Sequence, residues 1–242
     1  MRVVISALCI ITASLSYAAD PLEPFNRKIH QFNDFFDRIL LKPAAVGYQQ
    51  VTPKVVDDGI TNVFENLGEP RNAVNNLLQA KPSASGVSIG RFAINSTIGL
   101  AGFFDPANQI GWREKPEDFG QTLAVWGVGS GPYIVLPLFG PSTLRDGLAG
   151  IPDSALSPLP YAYGALDAAW YVPLAVTGVD AIDSRADVLT LEALLTGDRY
   201  VAMRDFYLEN RAFEIADGKV EDEFASDLES FSDFEDFEEL GF

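Results

Sequence analysis

The segment between Asp118 and Arg145 constrains this chain most, because it contains no charged residue yet is interrupted repeatedly by glycine and proline. The interrupting residues are Gly120, Gly127, Gly129, Gly131, Pro132, Pro137, Gly140 and Pro141. Glycine and proline at this density exclude one continuous membrane-spanning helix. Irregular backbone is tolerated at membrane depth only where protein covers its amides or where it lines a cavity. The segment therefore predicts a re-entrant apolar hairpin beside a pathway, which favours lipid handling over aqueous catalysis.

Length and charge narrow the possible classes of protein. A chain of 242 residues is long enough for one substantial core, and we expect one domain over residues 19–216. Residues 1–18 combine one basic residue, an apolar run and small residues near the end, which is typical of a secretory signal peptide. The formal net charge of −17 argues against a nucleic-acid partner, because such proteins need a basic surface to neutralise phosphates. We therefore expect an exported protein that does not bind nucleic acid.

The first predicted helix covers residues 22–40 and ends before Pro43. Its apolar residues fall three and four apart and form one stripe, which includes Phe25, Phe32, Phe35 and Phe36. Such a stripe usually packs against a core, and contact with a lipid interface is the alternative.

Further periodic segments complete an all-α prediction. One amphipathic helix is expected from Val55 to Leu67, stopped by Gly68-Glu69-Pro70, with a shorter helix from Asn72 to Gln79. The segment from Ser85 to Leu100 is apolar apart from Arg91 and Asn95, which lie one turn apart on the same face. Sustained alternation typical of strands is absent from the sequence, so a single compact helical domain is predicted.

The residues of common catalytic sites are largely missing. His30 is the single histidine, and no G-x-S-x-G sequence accompanies it. Outside the acidic end of the chain there is no cluster of metal-ligating residues, and the glycine-rich segment lacks the pattern of a phosphate-binding loop. We therefore assign no catalytic, cofactor-binding or metal-binding residue and expect a protein that is not an enzyme. A phospholipid hydrolase that depends on His30 and a structural adaptor without lipid conduction are the alternatives.

Four strings resemble the VacJ/MlaA family, the outer-membrane component of the pathway that maintains phospholipid asymmetry. They are DPLEPFNR at 20–27, RFAINSTIGLAGFFDPA at 91–107, FGQTLAVWGVGSGPYIVLPLFGPSTLRD at 119–146 and SRADVL at 184–189. The resemblance implies an all-helical, ring- or plate-like protein in the inner leaflet of the outer membrane, held beside a trimeric porin. A central amphipathic channel would pass mislocalised phospholipid to a soluble periplasmic carrier, without covalent chemistry.

The resemblance also implies roles for particular residues. The hairpin would set the opening of the channel through Gly127, Gly129, Gly131, Pro132, Leu136 and Pro137, although these glycines could simply form turns. A headgroup path would use Arg91, Asn95, Arg145 and Asp146, although Arg145 could instead pair structurally with Asp146. The first helix would lie in the membrane plane through its phenylalanines.

Both ends of the chain depart from the family pattern. Family members are typically lipoproteins, but Cys9 lacks the neighbouring residues of a lipoprotein cleavage site, so we expect attachment through the apolar surface and a porin-like partner. Residues 217–242 form an acidic tail that contains regularly spaced phenylalanines. The tail is interpreted either as a disordered, solvated segment or as an amphipathic helix that recruits the periplasmic carrier.

Overall fold

A computed structural model describes residues 20–189 and 197–219 of the chain. The predicted signal peptide and nearly all of the acidic tail lie outside these residues. The described helices are α1 (Glu23–Phe36), α2 (Lys42–Val51), α3 (Lys54–Leu78), α4 (Pro82–Thr97), α5 (Pro106–Gln109), α6 (Phe119–Val125), α7 (Leu144–Leu156), α8 (Leu159–Ala165), α9 (Tyr171–Asp187) and α10 (Arg199–Ile215). The predicted helical fold class is confirmed.

One small sheet interrupts this helical architecture, within the predicted apolar hairpin. Strands β1 (Tyr133–Leu136) and β2 (Gly140–Thr143) pair antiparallel, with Tyr133 opposite Thr143 and Leu136 opposite Gly140. The all-α prediction did not include this short sheet, which leaves the helical fold class unchanged. Each strand has only four residues, which is too short to produce a recognisable alternation of apolar and polar residues.

Two predicted helix ends are also wrong, and both were placed at proline. Helix α3 continues through Pro70 to Leu78, although an interior proline removes a hydrogen bond and costs about 3 kcal/mol. Glu69 and Asn72, on either side of Pro70, are fully buried, so tertiary packing overrides the local signal. After α1, a π-helical turn over Asp37–Leu41 leads directly into α2. Pro43 lies in the first turn of α2, where its missing N–H is not needed.

Side-chain caps fix the helices that surround the interior. Asp118 accepts a hydrogen bond from the Gln121 N–H at the start of α6, with an N–O distance of 2.8 Å. Thr143 ends β2 and begins α7, where its hydroxyl accepts from the Asp146 N–H at 3.2 Å. Each cap satisfies a backbone N–H that would otherwise lack a partner inside the helix. The same caps place Asp118 and Asp146 at the base of the hairpin.

Helix α1 covers the free edge of the hairpin with two asparagines. The Asn26 side chain donates to the Tyr133 carbonyl and accepts from the Val135 N–H, both at 3.0 Å. Seven residues further along α1, Asn33 donates to the Leu136 carbonyl at 2.9 Å and accepts from the Leu138 N–H at 2.8 Å. An unpaired strand edge is normally a site of association with other chains. Here the asparagine side chains take the place of a third strand and fix the hairpin to α1.

Candidate functional site

The described part of the chain is polar inside and apolar outside, which inverts the arrangement of a typical globular protein. Among the described residues that are fully buried, eight are apolar and nineteen are polar or charged. Large apolar side chains lie on the surface instead, including Phe139 with 84% and Trp170 with 83% exposure. Soluble monomers rarely expose extensive apolar surface, and such surfaces mark contacts with lipid or protein. Within residues 20–189 and 197–219, no helix combines the length and hydropathy needed to cross a bilayer.

One face of α3 supplies much of the polar interior. Asn66, Glu69, Asn72 and Asn76 recur three or four residues apart, and none is more than 2% exposed. Buried amides are tolerated when they are hydrogen-bonded, and these asparagines bind neighbouring elements. Asn72, for example, accepts a hydrogen bond from the Glu117 N–H at 3.2 Å. This face therefore links α3 to the loop before α6 through polar contacts.

A buried charge network joins α3, α4 and the start of α5. Arg91 is 1% exposed, forms an ion pair with the fully buried Glu69, and forms a second with Asp105 at 3.2 Å. Its guanidinium also donates to the Trp112 carbonyl at 2.7 Å, and Asn95 donates to Asp105 at 2.9 Å. Arg91 and Asn95 lie together on one face, as predicted. Their donors already have protein partners, and their role as headgroup contacts stays a prediction.

A second network lies at the base of the hairpin. Arg145 donates to Asp146 at 3.0 Å, and Arg211 of α10 contacts Asp146 at 3.1 Å and Asp118 at 2.6 Å. The Tyr207 hydroxyl donates to Asp146 at 3.0 Å. Burial opposes ionisation of Asp146, but the hydrogen bonds from Arg145 and Arg211 outweigh it and lower its pKa to about 2. These contacts favour the carboxylate form of Asp146, and the pairing of Arg145 with Asp146 that the sequence offered as the structural alternative is present.

Two adjoining cavities lie against these elements and share Phe64, Leu67 and Leu159. The first has a volume of about 440 Å³ and an apolar lining formed by Ile60, Val63, Phe64, Leu67, Phe103, Leu159, Ala175, Val176 and Val179. The second, of about 670 Å³, has a mixed lining formed by Phe64, Leu67, Gly68, Arg71, Asp118, Asp146, Gly150, Asp153, Ser154, Ser157, Leu159, Asp180, Tyr207 and Arg211. Together they form one amphipathic space.

The predicted hairpin lies beside this space and does not line either cavity. Gly127 and Gly131 have φ angles of +89° and +68°, which glycine adopts at low cost, so these two glycines are required by the turns. A side chain added at Gly129 would meet no atom within 4 Å. Arg145 holds the segment by donating from its guanidinium to the Val128 carbonyl at 3.3 Å. Arg145 precedes Asp146, which is the predicted site residue that does line a cavity.

The phenylalanines of α1 face outward. Phe25, Phe32 and Phe35 are 60%, 47% and 62% exposed, while Phe36 is partly buried and stacks on Phe32 with ring centroids 6.3 Å apart. The usual interpretation, that such a stripe packs against a core, is therefore wrong for this helix. The reason is that the opposite face, through Asn26, is occupied by the hairpin.

A family model described as MlaA lipoprotein matches residues 18–214. The chain belongs to the MlaA family. It is 35% identical over 214 residues to the intermembrane phospholipid transport system lipoprotein MlaA of Haemophilus influenzae, covering 86% of this chain and 84% of that protein. The Escherichia coli protein of the same name is 34% identical over 206 residues, covering 83% and 79%. A solved structure, from work on how bacterial outer membrane lipid asymmetry is maintained, has a TM-score of 0.72 and 32% identity, covering 81% of this chain and 99% of that one.

Sequence reasoning missed most of the charged residues that line the mixed cavity of this MlaA family member. Arg71, Asp180 and Arg211 lie on three different helices and come together only in the folded chain. The apolar lining was easier to predict from the sequence, because Phe64 and Leu67 belong to the apolar stripe that predicted α3. A further signal was available in the three- and four-residue spacing of the buried polar residues of α3, which indicates a second buried face.

His30 has the surroundings of a structural residue. Its ring contacts Tyr200 edge-on, with centroids 5.7 Å apart, and burial together with the nearby Arg199 lowers its pKa. Within the described residues, no group of three or more potential ligands could hold a metal ion.

Proposed function

We propose that this chain is a non-enzymatic component of a phospholipid transport system in the outer membrane. In this role it removes mislocalised phospholipid from the outer leaflet and passes it to a periplasmic lipid carrier. The observation that carries the proposal is the amphipathic space formed by the apolar cavity and its charged neighbour. A phospholipid has the same two parts, and it would place its acyl chains among Val63 and Val176 and its headgroup near Arg71 and Arg211.

The apolar exterior supports residence in the periplasmic-side leaflet. Exposed Phe25 and Phe35 on α1 would contact acyl chains, and the aromatic residues Trp170 and Tyr171 suit the boundary between lipid and water. Buried charge networks are stable in such an environment because each charged side chain already has partners inside the protein. Additional attachment would come from a trimeric porin, which would cover part of the same surface.

The hairpin is the element best placed to control passage. Leu138 and Phe139 at its turn are 57% and 84% exposed. The base is fixed through Arg145 and Asn26, and Asn33 holds the backbone of the turn. Release of the Asn33 contacts would free this apolar tip to act as a cover at the edge of the cavities. We include Gly127, Gly129, Gly131, Pro132, Leu136 and Pro137 in this role.

Filling the mixed cavity tests the function in cells. Gly150 lines this cavity, and a Cβ added there meets no atom within 4 Å, so Gly150→Trp adds bulk at the cavity from an unobstructed backbone position. Gly86→Trp on α4 is the matched control, because Gly86 is also free of neighbours within 4 Å and lines neither cavity. The readout is chemical labelling of phosphatidylethanolamine amines on the surface of cells that lack the native gene.

The conduit proposal predicts that Gly150→Trp leaves surface labelling as high as in cells without the protein, whereas Gly86→Trp restores the low level of the wild type. Equal restoration by both variants at equal protein levels would contradict it and favour a structural adaptor. Loss of function in His30→Gln, with turnover of phospholipid by the purified wild type, would instead favour a hydrolase.

A further inference from the structure

The charged residues that line the mixed cavity differ in whether they have protein partners. Arg211 pairs with Asp118 and Asp146, as described above. Asp153 accepts from the Asn75 amide at 3.1 Å and from the Phe119 N–H at 3.0 Å. No described residue forms an ion pair or hydrogen bond with the guanidinium of Arg71 or with the carboxylate of Asp180. The charge of Arg71 partly offsets the burial that raises the pKa of nearby Asp153, but Arg71 and Asp180 both lack a direct ion pair or hydrogen bond to a described side chain in this cavity.

Arg71 is unusual among the interior arginines of the described residues. It lies on α3 directly after Pro70 and is only partly exposed. Its Nε is buried without a hydrogen-bond partner, as is the Nε of Arg211, but no described carboxylate forms an ion pair with Arg71. An unsatisfied donor in a buried position is costly, and the cost is larger for a charged group. In contrast, Arg91 has two carboxylate partners and Arg211 has three. Such an exception indicates a guanidinium kept available for an anion that enters the cavity.

Asp180 is the corresponding anion. It lies on α9, is partly buried, and its pKa is raised by burial and by the neighbouring charge of Asp183. Both influences disfavour the carboxylate, and among the described residues no cation offsets them. A cation that enters the cavity would therefore gain a favourable contact with Asp180.

These two unpaired groups match a ligand that carries one phosphate and one ammonium. Phosphoethanolamine headgroups have both charges, joined by a two-carbon linker, and the ammonium has N–H donors for a carboxylate. An anionic headgroup such as phosphatidylglycerol offers its phosphate to Arg71 but only uncharged hydroxyl groups to Asp180, so the carboxylate gains no cationic partner. The cavity thus distinguishes between the two classes of lipid by charge.

Resting on the conduit function above, we propose that Arg71 and Asp180 form a headgroup site for a zwitterionic phospholipid. The Arg71 guanidinium binds the phosphate and the Asp180 carboxylate binds the ammonium. The adjoining apolar cavity receives the acyl chains of the same molecule. Zwitterionic lipid is then held in preference to anionic lipid of the same chain length.

The test measures which lipids the full-length protein retains from a defined mixture. The purified protein is equilibrated in mild detergent with equal amounts of phosphatidylethanolamine and phosphatidylglycerol that have identical acyl chains, and bound lipid is extracted and quantified by mass spectrometry. Arg71→Gln and Asp180→Asn are compared with Arg113→Gln and Asp58→Asn, which change exposed residues of the same types. Soluble glycerophosphoethanolamine is added as a competitor in a parallel arm. Thermal unfolding checks that each variant is folded, which we expect because neither the Arg71 guanidinium nor the Asp180 carboxylate is hydrogen-bonded to a described residue.

The wild type and both controls should retain phosphatidylethanolamine in preference to phosphatidylglycerol. Asp180→Asn should lower this preference about tenfold while total lipid is nearly unchanged, since one charge-assisted hydrogen bond is lost. Arg71→Gln should lower retention of both lipids about tenfold, because both contain the phosphate, and Arg71→Lys should recover most of it.

Three results would overturn the headgroup site. Unchanged amounts and ratios in Arg71→Gln and Asp180→Asn, with lipid bound by the wild type, would refute the site and leave the conduit intact. Lipid-free wild type would refute the conduit and the site together. Displacement of bound lipid by glycerophosphoethanolamine at concentrations equal to the lipid would assign the two charges to a soluble phosphodiester and refute a lipid site.

Discussion

Replacing Arg91 with methionine tests whether buried ion pairs hold the polar interior together. Arg91 is 1% exposed and Glu69 is fully buried, so Arg91→Met leaves the carboxylates of Glu69 and Asp105 without their main partner. Breaking a buried pair from one side costs about 3–5 kcal/mol. That is a large fraction of the total stability of about 5–15 kcal/mol typical of a domain. For a chain of this size the loss corresponds to a fall in melting temperature of roughly 10 °C.

The assay is unfolding of the purified protein in mild detergent, followed by far-ultraviolet circular dichroism. Arg38→Met is the matched control, because the Arg38 side chain is exposed and its partner Asp34 keeps a second pair with Arg199, so the substitution should cost less than about 1 kcal/mol. The double variant Arg91→Met/Glu69→Gln also removes the buried Glu69 carboxylate that Arg91→Met leaves without a partner, so it should regain part of the lost stability. A single variant within about 0.5 kcal/mol of the wild type would refute the reasoning, since surface substitutions have effects of that size.

Three further predictions concern the hairpin, the surface and pH. Asn33→Ala removes two hydrogen bonds to the hairpin, so amide exchange at Leu138 should accelerate about tenfold. Unchanged exchange at Leu138 would show that Asn33 does not hold the hairpin on α1. Phe35→Glu should weaken flotation with phospholipid vesicles without changing the melting temperature, because Phe35 is 62% exposed; equal flotation would argue against lipid contact by α1. Burial, with the charges of neighbouring carboxylates such as Glu69, raises the pKa of Glu114 to about 7 from its ordinary 4.5. The protonated form is thus favoured in the folded state, so this stabilising contribution is full below pH 4.5 and is lost as pH rises through about 7. Glu114→Gln should flatten the pH dependence of unfolding in that range, and an identical pH profile would show that Glu114 is not the responsible group.

Sequence patterns predicted the helices of this fold better than their ends. The three- and four-residue spacing located α1 and the first part of α3, because helical periodicity survives whichever medium the apolar face contacts. Pro43 and Pro70 were interpreted as helix ends, whereas long-range burial around Glu69 and a π-helical turn before α2 let the chain continue. Local signals cannot include stabilisation that comes from distant segments.

The sequence predicted a lipid pathway, but it identified only some of the residues that line the cavities. The uncharged, glycine-rich segment indicated a hairpin beside a pathway, and the family resemblance indicated a lipid conduit. The charged lining came from elsewhere, because Arg71 and Arg211 are far apart in sequence and lie on helices that contain other charged residues. Sequence alone does not show which of several arginines is left without a partner. Arg91 and Arg145 stood out by their apolar surroundings, and the structure shows that those surroundings contain buried carboxylates.

Lipid content of the intact protein tests the central claim most directly. Full-length protein is taken from outer membranes in mild detergent and studied by native mass spectrometry, with Gly150→Trp and Gly86→Trp prepared in the same way. The account predicts that the wild type and Gly86→Trp retain phospholipid and that Gly150→Trp does not. Wild-type protein without lipid, or equal lipid in all three, would show that the cavities do not hold phospholipid and would contradict the account.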